Sequence, residues 1–331
     1  MIKDREYMFA SSFLKASDGA GTPAERLARF SEAADPAALR SAVREVYRLA
    51  SKGGDTADVY HAALCEAVNN IKSAVPDFSV FCPLLYKYDC TNIKTALKCV
   101  LRGESSEGLL LFCGTVSPEK IVAGAESSSF ERLPPHMNKA AGEALAQYRK
   151  TGEVRCIDLI LDSACFADMR EDADRGGVEL IRKTVTLRAD GVNLMTSQRL
   201  ASQKLPAEVA ASLMKRAFVP GGDIPLSAFL AADGGCADAD TVAAKVPAGS
   251  ASASAVRLAA KQKSFSEAEK VIDEAVLSLA NGYRFKPFGP EVAVRYLLIR
   301  EAEMTNCRII EAGMKGGRAD EMRGRLRRAY V

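Results

Sequence analysis

Apolar residues along most of this chain return at steps of three and four, with little of the sustained alternation that marks a strand. The residues between them are mainly Ala, Glu, Lys and Arg, which favour helices. The pattern therefore predicts an all-α fold. In 24–48, AERLARFSEAADPAALRSAVREVYR, Leu27 and Phe30 form one short stripe, and Leu39, Val43 and Val46 form another after Pro36. That spacing predicts two short helices around a turn. The stretch 231–255, rich in Ala, Gly and Ser, reads as short helices with loose connections.

A second pattern lies at longer range. LLYKYDCTNIKTAL (84–97), VTLRADGVNLMTSQ (185–198) and LLIREAEMTNCRII (297–310) each carry an acid followed three residues later by Asn. The pairs are Asp89 and Asn92, Asp190 and Asn193, and Glu303 and Asn306. Upstream of each pair stands a Gly with a short polar stretch: Gly21-Thr22-Pro23, Gly114-Thr115-Val116 and Gly222-Asp223-Ile224. One landmark recurring with another in fixed order points to a duplicated unit. The breaker-rich segments RGESSEG (102–108) and VPGGDIP (219–225) then divide the chain into helical units 1–107, 108–219 and 220–331.

On the third repeated helix Val292, Tyr296, Ile299, Glu303, Asn306 and Ile310 follow steps of four and three, which places the acid and the Asn in an apolar stripe. Leu85, Asp89, Asn92 and Ala96 repeat this arrangement, and Thr186, Asp190, Asn193 and Ser197 do so less strongly. A buried carboxylate and amide must have their hydrogen bonds met. The pairs are therefore expected to be structural pins that hold neighbouring backbone or a basic side chain. A metal or acid/base site is the competing reading, set against the fact that catalytic sites seldom recur three times in one chain.

Other chemistry is sparse. No GxxxxGK[ST] loop is present, so the chain is not expected to hydrolyse ATP. His61 and His136 read as surface or capping residues without a second ligand at metal spacing. Asp168, Glu171, Asp172 and Asp174 in FADMREDADRGG read as a solvated helix end. The nine cysteines are scattered and read as reduced, mostly buried thiols. Neither a cofactor nor a metal is expected. With 45 Lys and Arg against 42 Asp and Glu, no global field argues for nucleic acid. Arg323, Arg325, Arg327 and Arg328 form a local basic run, either complementing a helix dipole or contacting an acidic partner or lipid headgroups. A chain of 331 residues, 48% hydrophobic, should divide into two or three packed units. Its longest apolar run, Leu109 to Cys113, is too short to span a bilayer, and the charged opening MIKDREYMFASS does not look like an export signal.

These residues resemble a known family. FGPEVAVRYLLIREAEMTNCRIIEAGMKGGRADEMRGRLRRAYV (288–331) looks like the C-terminus of V/A-type ATPase C subunits, with its GPE helix start, acid-x-x-Asn-x-Arg core, glycine turn and closing RLR-x-x-YV. YKYDCTNIKTALKCVLRG (86–103) is similar to the family's first such helix, and CGTVSPEKIVAG (113–124) resembles its second-unit opening. YMFASSFLKA (7–16) resembles the family's N-terminal motif, with Phe13 where a basic residue is usual. The resemblance implies three similar helical domains in a pseudo-threefold funnel. It also implies a non-catalytic adaptor between the central stalk, subunits D and F, and the membrane proteolipid ring, which transmits torque for ATP-coupled proton or sodium transport from the cytoplasmic face. A helical-repeat scaffold of another complex is the alternative, and a helical enzyme with a buried carboxylate site comes third.

Overall fold

The computed structural model describes residues 4–49, 58–130, 132–203, 205–232, 234–247, 249–250, 252–262 and 264–331. Its elements are α1 (Met8–Ala16), α2 (Pro23–Ser31), α3 (Pro36–Val46), α4 (Val59–Ala74), α5 (Cys82–Arg102), α6 (Pro118–Ser127), α7 (Pro135–Thr151), α8 (Arg155–Gly176), α9 (Glu179–Ser202), α10 (Ala207–Ala217), α11 (Ala239–Lys245), α12 (Ala253–Ala260), α13 (Phe265–Asn281), α14 (Pro290–Gly316) and α15 (Ala319–Arg323). Among the described residues there is no strand, only an isolated bridge between Leu230 and Cys236. The fold is all-α, as the periodicity predicts.

Local sequence explains where many helices begin and end. Thr22 caps α2 in a reciprocal box: Glu25 N–H donates to Thr22 Oγ1 at 3.3 Å and Thr22 N–H to Glu25 Oε2 at 2.7 Å, with Pro23 in the first turn. Asp35 caps α3 through Ala38 N–H at 2.8 Å, so the turn expected near Pro36 falls between α2 and α3. Gly103 ends α5 at φ 67°, a left-handed conformation that suits a residue without Cβ. Within 231–255 the short helix α11 forms and α12 begins.

The chain forms two compact units. One combines residues 1–78 with 273–331, and the other spans 79–272. In the first, α14 packs on α4, α1, α2 and α3. Its core joins Phe30, Leu39, Val43, Tyr47 and Tyr60 to Met304, Cys307 and Leu326. Leu297, Leu298 and Ile299 are also fully enclosed, so α14 is buried on most sides. Each such side chain contributes about 1.5–3 kcal/mol of apolar burial. In the second unit α8 packs on α7, α5 and α9, and α9 also receives α10, α11 and α12.

Candidate functional site

The three repeated pairs all lie on long helices, α5, α9 and α14, and all six side chains are fully buried. On α5, Asn92 grips one residue of the following loop at both ends of its peptide. Its Nδ2 donates to Leu111 C=O at 2.7 Å, and its Oδ1 accepts from Leu111 N–H at 2.7 Å. One turn earlier, Asp89 accepts from Thr115 N–H at 2.9 Å, Val116 N–H at 3.1 Å and Thr115 Oγ1 at 2.6 Å. Together they fix Leu111 to Val116 ahead of α6. Gly114 runs so close to Asp89 that a Cβ there would overlap Oδ1, which is why the landmark is glycine.

On α9 the arrangement repeats in register. Asn193 Nδ2 donates to Val219 C=O and its Oδ1 accepts from Val219 N–H, each at 2.9 Å. Asp190 accepts from Asp223 N–H at 3.1 Å, Ile224 N–H at 3.0 Å and the Ser252 hydroxyl. A Cβ on Gly222 would overlap Asp190 Oδ1 in the same way. The glycine lies three residues beyond the gripped residue in both clamps, and the N–H donors lie four and five beyond it.

The α14 clamp keeps the amide grip and changes the donors. Asn306 Nδ2 donates to Arg327 C=O and its Oδ1 accepts from Arg327 N–H, both at 2.8 Å. Glu303 instead accepts from Arg26 Nε at 2.7 Å and from the Tyr47 hydroxyl. Arg26 in turn donates through Nη1 to Gly21 C=O at 2.9 Å. Arg300 lays its guanidinium 3.6 Å from the centre of the Tyr47 ring and donates to Ala63 C=O at 3.1 Å. Burial pushes the Glu303 carboxyl above its usual range, and the Arg26 charge draws it back. Burial likewise raises Asp89 and Asp190, opposed by the donors around them.

The hydrogen bonds join Asp89 and Asp190 to the landmarks that follow them, and Glu303 returns through Arg26 to Gly21. Arg26, Tyr47 and Ser252 carry no sequence signal for these roles, since only the fold brings them to the carboxylates.

The chain matches the sequence profile described as ATP synthase (C/AC39) subunit over residues 48–325. It belongs to this family, that of the V/A-type ATPase C subunits. No curated protein matches the chain.

Several residues singled out in this C/AC39 chain depart from their expected settings. Asp168 is not solvated: it is buried on α8 and caps α7, accepting from His136 N–H at 2.9 Å and Met137 N–H at 2.8 Å. The donors come from an element about thirty residues upstream, which composition does not reveal. Glu171 and Asp174 do face solvent, paired with Arg175 and Arg170, while Asp172 is half-buried and accepts from the Tyr86 hydroxyl. His61 has a neighbour at metal-ligand spacing after all, Cys65, whose Sγ lies 3.3 Å from His61 Nε2 one turn on. The basic run is divided. Arg327 is buried and paired with Asp273 at 2.8 Å, Arg325 pairs with Glu321 at 2.8 Å near the surface, and Arg323 and Arg328 are exposed. Among the described residues no helix is long and apolar enough to cross a membrane.

Proposed function

We propose that this C/AC39 subunit is a non-catalytic adaptor of a V/A-type rotary ATPase. In this reading it links the central stalk, subunits D and F, to the membrane proteolipid ring at the cytoplasmic face and transmits torque for ATP-coupled proton or sodium transport. The three units 1–107, 108–219 and 220–331 are then similar helical domains around a pseudo-threefold axis, forming a funnel. The observation that carries the reading is the cyclic latch. Each acid-x-x-Asn helix holds the glycine-marked segment that opens the next unit, and the third returns to Gly21 of the first.

An adaptor under torque needs stiff walls more than reactive groups. The buried carboxylates of the latches serve that need, because their oxygens are taken up by internal donors. Arg323, Arg325 and Arg328 are proposed as contacts to an acidic partner surface, with Arg327 retained as a structural residue. The test is co-purification from native membranes in mild detergent with the chain tagged. Retention of stalk subunits and a small proteolipid is expected. A clean monomer or unrelated soluble partners would overturn the reading in favour of a scaffold.

A further inference from the structure

In the first unit one surface carries large apolar side chains that the core does not use. Phe285 is 83% exposed, Phe9 68% and Met8 54%. Phe285 stands near the tip of a turn closed by Lys286 N–H donating to Tyr283 C=O at 3.0 Å. That turn is braced along α1. Lys286 Nζ lies 3.1 Å from Asp4, Gly289 N–H donates to Ser11 Oγ at 3.3 Å, and Lys15 Nζ donates to Pro287 C=O at 3.1 Å. Met8, Ser11 and Lys15 follow steps of three and four along α1, so Met8 belongs to the edge the turn lines. Phe9 occupies the adjoining stripe and stacks on Phe13 with ring centroids 5.9 Å apart.

Cations accompany these rings. The Arg284 guanidinium lies 4.5 Å from the centre of the Phe285 ring. Lys286 is held between Asp4 and Glu291, so Arg5, Lys15, Arg284 and Lys286 stand against Asp4, Glu6 and Glu291 along this edge, one cation in excess. A protein partner would be matched by a groove or a continuous apolar face. Here separate aromatic tips rise from a braced turn and helix, with the Arg284 guanidinium over the Phe285 ring. That order suits the boundary between headgroups and acyl chains, where rings enter hydrocarbon and guanidinium or ammonium groups meet phosphate.

We propose that this face of α1 and the 283–289 turn binds the surface of an anionic phospholipid bilayer. The inference deepens the proposed function by naming the face that meets lipid, and rests on that reading only for bringing the chain to a membrane. The test is sedimentation of the purified full chain with vesicles of phosphatidylcholine alone, or with phosphatidylglycerol as about a third of the lipid. Binding to the anionic vesicles alone is expected. Phe285→Ser should weaken it about tenfold, the effect of withdrawing one phenyl ring from hydrocarbon. Arg284→Gln should weaken it less and flatten its salt dependence. Leu258→Ser, an exposed apolar position in the other unit, should leave binding unchanged, and circular dichroism checks that each variant keeps its helices. The proposal is overturned if the wild type binds neither vesicle, or if Phe285→Ser binds as tightly as wild type. Vesicle binding uses the isolated chain and co-purification reads the complex, so either idea can fail alone.

Discussion

At the scale of single residues, the latches turn on atoms that have no room to move. The Asp89 and Asp190 carboxylates are held by several donors, so they cannot retreat from a methyl group placed on Gly114 or Gly222. Gly114→Ala and Gly222→Ala should each cost about 1–3 kcal/mol in urea denaturation, by overpacking alone. Glu303→Gln should cost more, about 3–5 kcal/mol, because it removes the buried counter-charge 2.7 Å from Arg26 and leaves only the longer Asp18 pair at 3.5 Å. Glu311 sets a pH dependence of defined sign. Although its burial alone would raise its pKa, hydrogen bonds from Arg40, Lys315 and Tyr60 and the Arg40 charge bring it from 4.5 down to about 2. Its contribution to stability is therefore present above pH 4.5 and is lost as the pH falls towards 2. The stability gap between wild type and Glu311→Gln should shrink by about 2 kcal/mol between neutral pH and about pH 3, measured by denaturation at each pH. Lys315 stands four residues from Glu311 on α14, but Arg40 and Tyr60, like the donors to Asp168, lie on other elements and could not be read from sequence.

At the scale of elements, one device recurs: an Asn in a helix replaces the strand partner that a loop residue would have in a sheet, taking both its N–H and its C=O. The setting differs among the three. Val219 is buried, whereas Leu111 is half-buried and water can reach it. Asn193→Ala should therefore destabilise more than Asn92→Ala, within the range of about 1–3 kcal/mol for stranded buried polar groups. Amide hydrogen exchange should quicken at Val219 and Leu111 in the respective variants, and equal costs for the two would contradict this account. The helices themselves were legible from apolar spacing, and the α2 and α3 starts from Thr22 and Pro36. The latch partners were not, since Asn92, Asn193 and Asn306 reach across intervening segments of different length, two of them holding a helix, α10 and α15.

At the scale of the whole molecule, the first compact unit is assembled from both ends of the chain. Deleting residues 1–49 should therefore remove more helix than those residues supply, because Glu303 and the α14 core lose Arg26, Tyr47 and Phe30 together. Circular dichroism of the truncated chain checks this, and a loss no larger than the deleted helices would refute it. The sequence by itself determined the all-α class, the three polar pairs on apolar helix faces and the family. Periodicity, the expense of burying polar groups and a recurring order of landmarks within the chain are properties that a linear reading captures. Only the tertiary structure decided which glycine-marked segment each carboxylate holds, that Glu303 meets Arg26 and Tyr47, and that Arg327 is spent internally while Arg323 and Arg328 face solvent. Those outcomes depend on which donor reaches a buried oxygen first in three dimensions, and separation along the chain carries no record of that distance.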